Sequence, residues 1–160
     1  MWEGEKVKKK ISCMLAVLLV LSLSACGGRE KSAAYTMETE LESGVKMTDT
    51  LTLNAKGDTV QQITEVVKLD MTGLNTVEQE EVAERSDTIA EQYRAVEGVE
   101  CTTENADGVY SMTIVIPVSE DTVSKLAEQN LLTITGGTGE ISMKSTDESL
   151  LENNYTLVEE

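Results

Sequence analysis

From Tyr35 to Met71 apolar and polar residues alternate with period two, and no other feature restricts the fold as strongly. Tyr35, Met37 and Leu41 alternate with Thr36, Glu38 and Glu40. Val45, Met47, Leu51, Leu53 and Ala55 alternate with Lys46, Thr48, Thr50, Thr52 and Asn54, and Ile63, Val67, Leu69 and Met71 share one parity. Side chains on a strand point to opposite faces in turn, so this pattern describes strands with one apolar face and one threonine-rich face. Glu42-Ser43-Gly44 and Lys56-Gly57-Asp58 supply the turns of a three-stranded meander. A sheet patterned in this way is covered on one side only.

The period then changes to helical. Val82, Ile89, Tyr93 and Val96 fall on one helix face, Thr76 and Gln79 have the spacing of a capping box, and Gly98 marks the end. Val99, Cys101 and Thr103 read as a fourth strand, Asp107-Gly108 as its turn, and Tyr110, Met112, Ile114 and Ile116 as the inner face of a fifth strand closed by Pro117. Ser119 caps a short helix through Glu128, and Ser145 with Glu148 marks another before Leu150 and Leu151. Asn153-Asn154 end that helix, and Tyr155, Leu157 and Val158 form a last short strand. In Leu131–Gly139, LLTIT has strand character and GGTG loop character. Strands followed by helices indicate an α+β fold. The expected architecture is a mainly antiparallel sheet of about five or six strands, with one long and two short helices packed on one face.

The N-terminus has a separate logic. Lys6, Lys8, Lys9 and Lys10 precede the uncharged run Ile11–Leu23. That run is shorter than the roughly 20 residues of a membrane-spanning helix but fits the apolar part of an export signal. Leu23-Ser24-Ala25-Cys26 resembles the lipobox of bacterial lipoproteins. The resemblance implies lipidation of Cys26 and signal-peptidase recognition of Leu23, Ser24 and Ala25, with residues 1–25 removed as a lipoprotein signal peptide. The implied location is the extracytoplasmic face of a membrane or envelope, held by an N-terminal lipid; two or more acyl chains anchor stably where one binds only marginally. Residues 26–34 then read as lipidated cysteine and flexible tether, spanning roughly 15 Å on average, and residues 35–160 as a single domain.

Composition excludes more chemistry than it suggests. The chain has 13 Lys+Arg, 29 Asp+Glu and no histidine; losing four Lys and two Glu with residues 1–25 leaves 9 and 27, a net charge of −18 over 135 residues. Such a surface repels nucleic acid, whose binding depends on Lys and Arg at the phosphates. Its functional reading is a preference for cations or basic peptides, and its plain reading is solubility. Without histidine there is no Ser-His-Asp arrangement, and with Cys101 as the remaining free thiol no Cys/His zinc site can be built. The same cysteine count leaves no intramolecular disulfide, so the domain depends on its core.

Local candidates are weak. Parity places Cys101 on the inner face as a small hydrophobe. Ser142 and Lys144 have the spacing of a nucleophile pair on a strand but stand beside a helix cap. Gly136-Gly137-Thr138-Gly139 lacks the lysine and helix of a phosphate loop. Glu78, Glu80, Glu81 and Glu84 point in different directions on a helix, unlike a calcium loop. Tyr93 and Tyr110 belong to the core, each needing a partner for its hydroxyl. No catalytic residue, metal ligand or cofactor is assigned.

The lipobox together with ESGVKMTDTLTLNAKGD, AEQYRAVEGVE and GEISMKSTDESLLENNY resembles the YehR-like family of small bacterial lipoproteins, built on a domain of unknown function. That resemblance implies a compact α+β domain and carries over no functional residue. The expected function is a non-catalytic envelope module that binds a protein or small ligand. A hydrolase using two carboxylates, or a calcium-type cation sensor, are the alternatives. A pocket with paired, strongly shifted carboxylates would count against the first.

Overall fold

In the computed structural model, the described residues are 17–20, 28–135 and 140–158. The strands are β1 (Val17–Val20), β2 (Glu30–Glu40), β3 (Lys46–Lys56), β4 (Thr59–Asp70), β5 (Glu100–Ala106), β6 (Val109–Pro117), β7 (Leu132–Thr135) and β8 (Thr156–Leu157). The helices are α1 (Thr76–Arg94), α2 (Glu120–Glu128) and α3 (Met143–Glu152). Six strands form one antiparallel sheet in the order β5-β6-β4-β3-β2-β8. β1 and β7 pair in parallel as a separate two-stranded sheet. Among the described residues no helix is long and apolar enough to cross a membrane.

The alternation becomes the core. Met47, Leu51, Leu53 and Ala55 of β3 are buried, as are Ile63, Val67 and Leu69 of β4 and Tyr110, Met112, Ile114 and Ile116 of β6. The threonines between them on β3 stay half-exposed on the other face. Val82, Ala83, Ala90 and Tyr93 of α1, Val123 and Leu126 of α2, and Leu150 of α3 complete the same cluster. The hairpins form where the sequence supplies left-handed backbone: Gly57 at φ +67, and Asp107 and Gly108 at +54 and +76. Positive φ at both central residues matches the right-handed twist of the strands on either side.

One irregularity matters for the faces. Asn54 pairs with Gln62 but Ala55 with Val60, so Gln61 is an extra residue in β4. This bulge turns Val60 inward, although it lies out of parity with Ile63. It also lets Val60 donate to the Ile141 carbonyl and Gln61 accept from Val118.

Three boundaries differ from the sequence reading. The long helix is capped by Asn75, whose carboxamide accepts from Val77 and Glu78 while Glu78 accepts from the Asn75 N–H. The true box therefore lies one residue before the Thr76/Gln79 pattern. α3 is capped by Ser142 rather than Ser145, and Ser142 in turn donates to Asp58 Oδ2 at 2.7 Å. β2 begins at Glu30, inside the segment read as tether, because Lys31–Ala34 pair with Thr52–Ala55. Gly28 is pressed against the hairpin turn, where an added Cβ would lie 2.2 Å from the Gly57 Cα.

Candidate functional site

Two residues break the apolar face. Asp49 of β3 and Glu65 of β4 occupy inward positions and are only 2% and 1% exposed. Leu51 faces Glu65 and Asp49 faces Val67, so the two acids are diagonal neighbours on adjacent strands. Met37 lies beside Asp49 on β2, and Ile114 beside Glu65 on β6. From the C-terminal segment Tyr155 donates its hydroxyl to Asp49 Oδ2 at 2.6 Å. Tyr93 of α1 donates to the Leu131 carbonyl at 3.1 Å. Asp49 Oδ1 and Glu65 Oε1 are buried without a hydrogen-bond partner.

An ionised carboxylate away from water is costly, so such groups take up protons instead. Burial pushes Asp49 up to about 6, opposed by the Tyr155 hydrogen bond. Burial, then the neighbouring Asp49 charge, raises Glu65 well above the usual carboxylate range. The phenols respond in the same direction: burial and then Asp49 raise Tyr155, and burial followed by Glu65 and Asp49 raises Tyr93. The cluster thus stores protons. General acid–base catalysis would need a reacting group within about 3 Å of a carboxylate, and neither acid is open to solvent. The paired, shifted carboxylates of the hydrolase alternative are present, but they are sealed in the core rather than set in a pocket.

An open concavity lies elsewhere among the described residues. A cleft of about 510 Å³ lies on the outer face of the sheet, lined by Glu38, Glu40, Lys46, Lys68 and Asp70 among others. Strand register builds it from two rows: Lys46 stands between Glu40 and Asp70, while Glu38, Thr48 and Lys68 lie side by side. Hydrogen bonds from the Thr72 hydroxyl and backbone, then the Lys46 charge, hold the Asp70 carboxyl below its usual value. The cleft sits at the end of the strands opposite the Gly28–Gly57 contact.

Among the residues singled out from sequence, Leu23, Ser24, Ala25, Cys26 and Gly136–Gly139 lie outside the described residues. Ser142 and Lys144 come together on Asp58, which accepts from the Ser142 hydroxyl and the Lys144 N–H, so they form a helix start. Cys101 is 8% exposed, and burial raises its thiol. Tyr110 finds its partner in Asp87 Oδ1 at 2.7 Å. Glu78 serves the α1 cap and Glu81 pairs with Arg85. No group of three or more metal-ligating side chains occurs among the described residues. Asp49 and Glu65 were legible only as gaps: each is an acid standing where the alternation calls for an apolar residue.

A six-stranded antiparallel sheet with its helices against one face defines a small α+β domain. The chain belongs to the family of proteins of unknown function DUF1307, whose model matches residues 31–156. The NMR structure of the YehR protein of E. coli aligns with TM-score 0.55 at 18% identity, covering 83% of this chain and 94% of that one. This likeness shows the fold and agrees with the YehR-like resemblance. An NMR structure of a protein from Streptococcus pneumoniae TIGR4 aligns with TM-score 0.47 at 14% identity, over 86% of this chain and 90% of that one. No curated protein matches the chain.

Proposed function

We propose that this protein is a lipid-anchored module on the extracytoplasmic side of a bacterial membrane, binding a protein or small ligand that carries cationic groups. The anchor in this reading is Cys26, exposed as the first residue once 1–25 are removed. The observation that carries the binding reading is the position of the mixed-charge cleft. The chain enters the sheet at Gly28, beside the Gly57 turn, and the cleft lies at the far end of β2, β3 and β4. Strands of 11 and 12 residues separate the two ends by roughly 30 Å at about 3.3 Å per residue. With β2 starting at Glu30 and Gly28 and Arg29 already against the Gly57 turn, the tether of this reading shortens to a residue or two beyond Cys26. In this reading the anchored end stays close to the membrane and the cleft lies at the strand ends remote from it.

Lys46 and Lys68 within a ring of three carboxylates favour a ligand offering both signs with cationic groups in excess, as in a basic peptide. The test is thermal unfolding with polyamines, basic peptides, divalent cations and cell-wall fragments. A ligand at a hundredfold over its dissociation constant adds about 2.7 kcal/mol, roughly 8 °C or more in a domain of this size. That shift should disappear when Glu38 and Glu40 are both changed to Lys. A flat panel, or a shift indifferent to those changes, overturns the cleft assignment. Fatty-acid labelling tests the anchor separately: Cys26→Ser abolishes it, and persistent labelling refutes lipidation at this position.

A further inference from the structure

Among the described residues the buried acids face no cation. Asp49 comes from β3 and Glu65 from β4; Tyr93 of α1, Cys101 of β5 and Tyr155 of the C-terminal segment are the ionisable groups that sense them. Arg94 acts on Cys101, and neither carboxylate has a cation among its influences. Tyr35 of β2 is tied to Asp147 of α3, and Tyr110 of β6 to Asp87. Among the described residues, each of these neighbours that carries charge when ionised, apart from Arg94, is anionic.

The elements around the pair are held unequally. β3 is bound along its full length to β2 and β4, and β4 to β6. At its start the C-terminal segment is tied to the end of α3, where Asn153 and Tyr155 donate their N–H groups to the Leu150 carbonyl. Beyond that it is held by a two-residue strand against Tyr35 and Thr36, by the Val158 N–H to the Ala34 carbonyl at 2.8 Å, and by the Tyr155–Asp49 bond. Its residues Thr156, Leu157 and Val158 are exposed. Tyr155 is therefore the contact of the pair that gives way at least cost.

We infer that Asp49 and Glu65 form a proton-binding site that keeps the C-terminal segment, residues 153–158, clasped over the edge of β2. While the pair retains a proton, one buried negative charge at most remains, and Tyr155 satisfies it. Loss of the last proton leaves two adjacent buried charges, which withdrawal of Tyr155 and entry of water relieve. The same movement bares the backbone groups of Ala34–Thr36 on an edge strand, a surface that another extended chain can pair with. A metal ion fits less well. Asp49, Glu65 and the Tyr155 hydroxyl offer five oxygens at most, from two carboxylates and a phenol, whereas calcium takes about six to eight. This inference is independent of the cleft and of the anchor.

The test is amide hydrogen exchange on the full chain in nonionic detergent, corrected for intrinsic exchange, at about pH 5 and about pH 9. Protection of the Val158 amide, which is bonded across to Ala34, should fall about tenfold or more at the higher pH while Leu53 and Val67 hold. Glu65→Gln should retain the clasp at high pH, and Asp49→Asn gives the same reading should Glu65→Gln fail to fold. Equal protection at both pH values, a matching loss at Leu53 and Val67, or an unchanged loss in the foldable variant overturns the inference. So does restoration of protection at high pH by calcium or magnesium, which would make the site a cation site.

Discussion

β3 and β4 present two faces built from alternate residues of the same strands, and the faces differ in what they risk. The inner face places Leu51, Ile63 and Val67 in close packing and sets Asp49 and Glu65 among them. The outer face carries Thr50, Thr52 and Thr64, half-exposed, with Thr36 and Thr50 hydroxyls 3.3 Å apart across the strands. A side chain on the outer face can exchange its neighbour for water. On the inner face no such exchange is available, so each polar atom there needs a partner or a proton.

The largest separation of the two faces should come from Leu51→Ala, which opens a cavity in the centre of the sheet. It should cost about 3–4 kcal/mol in urea unfolding, against less than about 0.5 kcal/mol for Thr50→Ala next to it. A loss of similar size at both positions would erase the distinction. Next in size is the response to pH. The Asp49 pKa, about 6 in the folded chain, lies above the unfolded value of about 3.9. The folded state therefore binds more protons between those values, and stability falls as pH rises from about 4 through about 6, by roughly 2–3 kcal/mol, then levels off for this group. Glu65 extends the fall to higher pH. Unfolding measured across this range should show the decline; Asp49→Asn should flatten its lower part and Glu65→Gln its extension to higher pH, and a profile unchanged in both variants would assign the decline to surface repulsion.

Tyr155→Phe removes the hydrogen bond that reaches the Asp49 carboxylate and should cost about 1–3 kcal/mol at neutral pH. The loss should shrink in acid, where Asp49 is protonated. Smallest is Thr36→Val, which removes the hydroxyl contact to Thr50 on the outer face. A change below about 0.5 kcal/mol is expected.

Much of this division was readable from the sequence. The strand positions, the Gly57 and Asp107-Gly108 turns, Pro117 at the end of β6 and Ser119 as a cap all follow from local chemistry. Caps were less legible because two sequence patterns competed over a few residues. Thr76/Gln79 and Ser145/Glu148 have the spacing of a box, while Asn75 and Ser142 have the geometry. The start of β2 was obscured because Lys31–Ala34 carry little hydrophobic signal and become strand through their pairing with Thr52–Ala55 of β3. The acid pair left a trace, two missing apolar residues, but its meaning depends on β3 and β4 lying side by side in one register. That Tyr155, 106 positions further on, would reach Asp49 depends on tertiary structure alone.

Gln61 gives the sheet a reading frame. Upstream of it Val60 faces the core from an even-numbered position; downstream, Ile63, Val67 and Leu69 do so from odd-numbered ones. Deleting this exposed glutamine would act as a frameshift in side-chain orientation. Either Thr59 and Val60 exchange faces, or Ile63 through Leu69 do, carrying Glu65 into solvent and Lys68 into the core. The most dispensable-looking side chain of β4 thus occupies a position the strand cannot lose, and a substitution there should be silent where a deletion is ruinous.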